Sequence, residues 1–337
     1  MATIKDIAQI AGVSCTTVSN VIHGRAGRVS AETIALINDT IKELGYVPNM
    51  SARSLVSHSS KVIGVINHSV LMKDRNFMED PFHSTFIGAI EATLRENGYY
   101  LMLRTAETPD DLLTFLRNWN VDGLFFTGIF KDNFFDVLST LTIPIVLIDS
   151  YVHHPNMCNV GLEDFNGSYI AVKYLLEHGH KNIAFTSPFI KEDGVLHQRL
   201  LGYKKALAEA DVDFNPAYVF EQGMDVESCL SLGRKIASQG DITAIFSTAD
   251  IMAAGIMAGV QQLGRLIPDD ISIIGFDDIA LSRITYPPLT TIHQDANLKG
   301  KLAVDFMLDM LERKSVRNRE IVLPIHLVER DSVKTIL

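Results

Sequence analysis

Two groups of side chains in this chain could do chemistry by their types and spacing. The first is Cys15, Thr16, Ser19, Asn20 and His23, which fall on one face of a short helical stretch whose other face is Val18, Val21 and Ile22. Hydroxyls donate or accept and an asparagine amide can bond adenine bidentately, so such a helix laid in a major groove could read base edges. The second is Asp149, Asp250 and Asp277, at or just past the ends of apolar runs that read as buried strands, together with Arg199 at the opening of a helical stretch. Three carboxylates and an arginine around one cleft can hold the hydroxyls of a sugar or the polar edge of a nucleobase, because charged partners make the stronger hydrogen bonds. Plain structural readings stand beside these. Asp149 and Asp277 could cap turns, Asp250 could cap its helix, and an exposed asparagine or histidine is usually solvated surface.

The first group needs a frame to present it. Thr3 stands where an N-cap should be, Asp6 follows at the third helical position, and Ile4, Ile7, Ala8 and Ala11 repeat at helical spacing. Gly12 breaks that helix, Val13 can plug the turn, and Ser14 offers a second cap within three residues, which is helix-turn-helix spacing. A third helix runs from the Ser30 cap through Ile34, Ile37, Ile41 and Leu44 to Gly45, and its apolar stripe closes a three-helix core. Asn49 can cap one more piece, Met50 to Ser57, too short to be stable alone in water and ordered by docking against something else.

The second group needs strand ends. From Lys61 onward, short apolar or β-branched runs (Val62 to Ile66, Tyr100 to Leu103, Gly123 to Thr127, Pro144 to Ile148) alternate with amphipathic stretches such as Phe86 to Glu96 and Asp111 to Leu116. A second series follows, with strands Asn182 to Thr186, Tyr218 to Glu221, Thr243 to Ser247 and Ser272 to Gly275, and helices Ser168 to Glu177, Arg199 to Glu209 and Ile251 to Leu263. Alternation of this kind predicts parallel sheets covered by helices, and two series predict two lobes. Ligands bind beyond the carboxyl ends of parallel strands, so the two lobes should share a cleft there.

Composition narrows the classes. At 337 residues and 47% hydrophobic content, the chain can bury more than one core, and no apolar run reaches the length of a membrane span. The N-terminus has no signal-peptide pattern, and three cysteines at positions 15, 158 and 229 suit neither a disulfide framework nor a zinc site, so a cytoplasmic protein with reduced thiols is expected. His178-Gly179-His180 reads as a helix end, and His153-His154 as a loop. No Walker loop, dinucleotide fingerprint or serine-hydrolase elbow occurs, and neither enzyme activity, cofactor nor metal is expected. The net charge is -10, yet residues 1–60 hold five Lys or Arg against four Asp or Glu. DNA affinity would therefore come from placement, with Lys5, Arg25, Arg28, Arg53 and the helix N-termini meeting phosphates.

The runs Ala2-Thr3-Ile4-Lys5-Asp6-Ile7-Ala8, Gly12-Val13-Ser14, Thr17-Val18-Ser19, Leu44-Gly45-Tyr46-Val47-Pro48-Asn49 and Ala52-Arg53-Ser54-Leu55 resemble the head and hinge of the lactose-repressor (LacI/GalR) family, and the head is nearest its purine-repressor branch. Val121-Asp122-Gly123, His178-Gly179-His180, Ile273-Ile274-Gly275-Phe276-Asp277 and Pro288-Leu289-Thr290-Thr291-Ile292 extend the resemblance over essentially the whole chain. It implies an all-α helix-turn-helix head at 1–48, a hinge at 49–60, and an α/β two-lobed domain like the periplasmic binding proteins at 61–337. Lobe 1 would take about 61–161 and 293–320, lobe 2 about 162–292 and 321–337, with Ile321 to Leu327 a closing strand that begins the third crossing. It further implies a homodimeric regulator, a repressor, on a pseudo-palindromic double-stranded operator and under the control of a small molecule, with a sugar or sugar derivative ahead of a nucleobase. A free-standing binding protein of the same fold is the alternative. The implied DNA contacts are Thr3, Cys15, Thr16, Thr17, Ser19, Asn20, His23, Arg53 and a minor-groove wedge at Leu55; the implied effector contacts are Phe82, Asp149, Arg199, Met224, Asp250 and Asp277. Met224, in Gln222-Gly223-Met224, stands where sugar-binding relatives often carry an aromatic, and Ala249 where the lactose repressor has asparagine.

Overall fold

The computed structural model describes residues 2–22, 24–46, 59–68 and 77–336, which separate into one unit before Lys61 and another from Lys61 onward. His23, Arg53, Leu55 and the stretch Met50 to Ser57 lie outside the described residues.

In the first unit Thr3 and Asp6 form a reciprocal capping box that starts α1 (Ile4–Ala11). Gly12 ends α1 at φ 64°, a left-handed turn that glycine adopts without a Cβ clash. The next helix, α2 (Cys15–Ile22), starts on Ser14, whose hydroxyl accepts from Thr17 N at 3.1 Å. Ser30 caps α3 (Ala31–Glu43) through Thr33 N. Ile7, Ala8, Ala11, Val18 and Ile37 make the core, and Ile4, Val13, Val21, Ile22, Ile41 and Leu44 pack around it. The apolar repeat read from sequence is the repeat that is buried.

The second unit alternates strands and helices. β1 (Val62–Asn67), α4 (Pro81–Glu96), β2 (Tyr100–Thr105), α5 (Pro109–Asn118), β3 (Gly123–Thr127), α6 (Asn133–Thr140), β4 (Ile145–Ile148) and β5 (Met157–Leu162) come first. Then follow α7 (Asp164–Glu177), β6 (Ile183–Ser187), α8 (Val195–Glu209), β7 (Val219–Glu221), α9 (Val226–Ser238), β8 (Ala244–Ser247), α10 (Asp250–Gln262), β9 (Ser272–Asp277) and β10 (Thr290–His293), and last α11 (Ala296–Leu311), β11 (Glu320–Leu323) and β12 (His326–Val328). The strands form two six-stranded sheets, ordered β11-β5-β4-β3-β1-β2 and β12-β10-β9-β8-β6-β7. All pairs are parallel except β10 with β12. Strands β3, β4, β6, β8 and β9 are buried along their whole length, as sheets covered on both faces require.

The chain passes between sheets after β5, after β10 and after β11. The expected single strand over Ile321 to Leu327 is instead two short ones, because Pro324 has no N–H to continue a ladder. The third crossing accordingly falls after Leu323, and the first sheet keeps three residues more than the sequence boundary at 320 assigned to it. Helix starts also move. Asp80 caps α4 with Pro81 in its first turn, well before Phe86, and α8 begins at Val195, which places Arg199 a full turn inside the helix rather than at its opening.

Candidate nucleic-acid interface and interlobe cleft

On α2, Cys15 and Thr16 are exposed, and Thr17, Ser19 and Asn20 are half-buried. Thr17 differs from the rest, because its hydroxyl lies 2.9 Å from that of Ser14 and its N–H donates to the same oxygen, so it builds the start of α2. Thr3 is similarly spent on α1, donating its N–H and hydroxyl to Asp6 Oδ2 at 2.7 and 2.8 Å. Thr3 and Thr17 thus hold the two helices, while Cys15 and Thr16 are open to solvent and Ser19 and Asn20 partly so.

Between the two sheets of the second unit lies a cleft of about 920 Å³. Its walls carry Phe77, Phe82, Phe86, Phe130 and Phe189, and its polar lining includes Asp80, Asp149, Arg199, Thr248, Asp277 and Gln294. Met224 also lines it, from the turn between β7 and α9. Asp149 follows β4 and Asp277 ends β9, and both have positive φ (49° and 113°), a conformation uncommon for non-glycine residues and tolerated best by Asp and Asn. Thr248 adds a buried hydroxyl with no hydrogen-bond partner among the described residues.

A buried polar network underlies this lining. Arg199 donates from Nε and Nη2 to Asp164 Oδ1 at 2.9 and 2.8 Å and from Nη1 to the Thr248 carbonyl at 2.6 Å, with its guanidinium 3.5 Å from the centre of the Phe276 ring. Asp164 also accepts from Tyr151 Oη at 2.8 Å. Lys299, on α11 and fully buried, donates to both Asp149 oxygens at 2.7 Å and to Gln294 Oε1 at 3.0 Å. Gln294 Nε2 in turn donates to Asp277 Oδ1 at 2.6 Å. At the mouth, Lys191 from the β6–α8 loop donates to Asp132 before α6 at 3.0 Å and sits 4.0 Å from the centre of the Phe130 ring, joining the lobes.

Of the residues singled out by sequence, Phe82, Asp149, Arg199, Met224 and Asp277 come together on this cleft, and Asp250 does not. Its carboxylate accepts from Thr291 Oγ1 at 2.6 Å and from Ile279 N at 3.0 Å, fully buried within the second lobe. Asp250 therefore neither lines the cleft nor caps α10, whose N-cap is Ala249; it is a structural carboxylate that ties the start of α10 to β10 and to the turn after β9. Sequence reading passed over Asp164, Gln294, Thr248 and Lys299. Lys299 had a signal, since it falls in the stripe of α11 that otherwise buries Ala303, Phe306 and Met307.

Burial pushes Asp277 up to about 7 against the opposing pull of Arg199. A carboxyl raised in the folded state binds more protons than the unfolded chain between about pH 3.9 and 7, so its contribution to stability declines as pH rises through that window. The buried His68 and His180 are lowered, by desolvation first, and act in the opposite sense, so the informative quantity is a difference between variants. Asp277→Asn, which keeps an acceptor for Gln294, should gain in melting temperature relative to the parent on going from pH 5 to pH 8. A constant offset in differential scanning calorimetry across that range would show that Asp277 does not titrate there.

Comparisons with known proteins agree with this architecture. The model of bacterial regulatory proteins of the lacI family matches residues 3–49, and that of the periplasmic binding protein-like domain matches residues 172–333. Over its full length the chain is 36% identical to the HTH-type transcriptional repressor PurR of Histophilus somni strain 129Pt, with 100% of each covered. The chain belongs to the lacI family. This lacI-family protein is also 36% identical to the PurR repressor of Pasteurella multocida strain Pm70, over 99% of both chains. Its fold is similar to that of the lac repressor dimer bound to operator and the anti-inducer ONPF, with a TM-score of 0.84 and 27% identity over 99% of each chain. The transcriptional regulator CelR in complex with cellobiose is similar at a TM-score of 0.72 and 25% identity, over 98% of this chain and all of the other. The protein is a DNA-binding transcriptional repressor with a helix-turn-helix head and a two-lobed binding domain.

Proposed function

We propose that this lacI-family repressor binds a pseudo-palindromic operator as a homodimer, under the control of a neutral, hydroxyl-rich ligand, a sugar or sugar derivative, held in the interlobe cleft. Two heads on a dimer double the contacts and call for a two-fold site. Cys15, Thr16, Ser19 and Asn20 would meet base edges, with Thr3 and Thr17 holding the helices; His23, Arg53 and Leu55 are proposed with them from sequence alone. Phe82, Asp149, Arg199, Met224 and Asp277 would meet the ligand.

The observation that supports a sugar is the pairing of carboxylates with aromatic faces around one space, with the buried Thr248 hydroxyl still lacking a partner. Hydroxyls donate to carboxylates while the C–H faces of a pyranose lie on rings such as Phe82, and polar groups convergent in an apolar cleft are what set orientation. A nucleobase is the second reading, favoured by the full-length likeness to repressors called PurR. Its planar edge asks for donors and acceptors side by side, and the cleft offers both, with Asn67, Lys191, Arg199 and Gln294 beside the carboxylates, so the ligands themselves decide between the two readings. In a thermal-shift panel of neutral mono- and disaccharides against purine bases and nucleosides, a sugar should raise the melting temperature. Stabilisation by purines alone would reverse the choice. Light scattering should return the dimer mass, and a tetramer at low concentration would contradict it.

A further inference from the structure

We propose that Lys299 sets the charge specificity of the cleft: by binding the Asp149 carboxylate from behind, it makes that group an acceptor for neutral hydroxyls and denies the position to cationic ligands. The inference rests on the sugar reading of the cleft and deepens it. Lys299 is fully buried and is itself no part of the lining, so it acts through Asp149, which is.

Three observations carry this. First, the ammonium bonds both Asp149 oxygens at 2.7 Å and lies 5.0 Å from the centre of the Phe82 ring, so its three donors go to Asp149 and Gln294 and none is left for a ligand. Second, α11 approaches α4 closely enough to seat a lysine there only because residue 300 is glycine. A Cβ on Gly300 would stand 2.7 Å from Ala89 Cβ and 2.8 Å from the Phe86 carbonyl oxygen. Third, a carboxylate beside aromatic rings and without a counter-ion is a good site for an ammonium, through ion pairing and the negative faces of the rings. With Lys299 in place that site is already taken, from the protein side. What remains for the ligand at Asp149 is the free lone pairs of a charge-compensated carboxylate, which a sugar hydroxyl can use and a second cation cannot use without like-charge repulsion.

The test uses the full chain and two probe sets: neutral sugars paired with their 2-amino counterparts, and propylammonium paired with propanol. The parent should prefer the neutral sugar by at least about tenfold, and Lys299→Met should erase or invert that preference, a change equivalent to about 1.4 kcal/mol. A merely structural lysine would lower stability and leave the ratio alone. In Lys299→Ala, propylammonium should bind and raise the melting temperature where propanol does not, and neither should act on the parent or on Lys299→Ala/Asp149→Asn. If Lys299→Ala fails to fold in plain buffer, propylammonium during refolding should recover it. An unchanged neutral-to-amino ratio in folded Lys299→Met, or rescue by propanol as good as by propylammonium, would overturn the proposal. Should no sugar bind the parent, the sugar reading fails by itself, and the propylammonium measurements still decide the role of Lys299.

Discussion

Arg199→Ala should lower the melting temperature of the second unit sharply and silence the ligand response with it. From sequence the residue reads as a cleft arginine that meets the effector. The network assigns it more. Three of its five N–H groups are already bonded, two of them to Asp164, which is itself 1% exposed. Removing the guanidinium leaves a buried carboxylate with Tyr151 as its remaining side-chain hydrogen bond among the described residues, and breaking one partner out of a buried pair costs about 3–5 kcal/mol. At roughly 2–4 °C per kcal/mol for a domain of this size, calorimetry will see it easily. Arg199→Met/Asp164→Asn should regain much of the lost stability, because no uncompensated charge remains, and should still not respond to ligand. If Arg199→Ala melts like the parent, Asp164 is not held as an ion by Arg199.

Ile37→Ala should abolish operator binding while the second unit melts as before. Among its described residues the first unit buries the apolar side chains of Ile7, Ala8, Ala11, Val18 and Ile37, and Ile37 is the one that α3 contributes. Truncating a buried isoleucine to alanine costs about 2–5 kcal/mol, comparable with the whole stability of so small a unit. Ile10→Ala is the matched control, since Ile10 is 57% exposed on α1, and it should leave the head folded. Fluorescence anisotropy on a selected operator fragment, with circular dichroism of the two transitions, measures both effects. Operator affinity surviving in Ile37→Ala would mean that the three-helix core is not what presents α2.

Local signals made the head legible. Thr3, Gly12, Ser14 and Ser30 each act within four residues of themselves, through a capping hydrogen bond or a backbone angle, and all four act as the sequence implies. Most strand positions in the second unit were readable for a similar reason, because a parallel sheet buried on both faces demands an unbroken apolar run. β5 and β10 were not, since Asn159 and Gly161 interrupt the one and threonines fill the other, and β2 lies at a sheet edge and is largely exposed. Helix starts are less legible where the cap lies well ahead of the first apolar residues of the stripe, as at Asp80-Pro81 before Phe86.

What the sequence by itself determined is therefore most of the elements, the two-unit order, and the placement of Asp149 and Asp277 at strand ends, since these depend on contacts between near neighbours in the chain. Only the tertiary structure decided which charge answers which. Asp149 meets a lysine 150 residues away, Asp164 an arginine 35 away, and Asp250 a threonine 41 away that takes it out of the cleft. Three aspartates just past strands or at helix starts end with different roles because burial makes each carboxylate depend on the few polar groups within about 3 Å, and those groups arrive on other elements. Lys299 shows the same thing from the other side. In sequence it is a lysine in an apolar stripe, and only the close approach of α11 to α4 turns it into the counter-ion of the cleft.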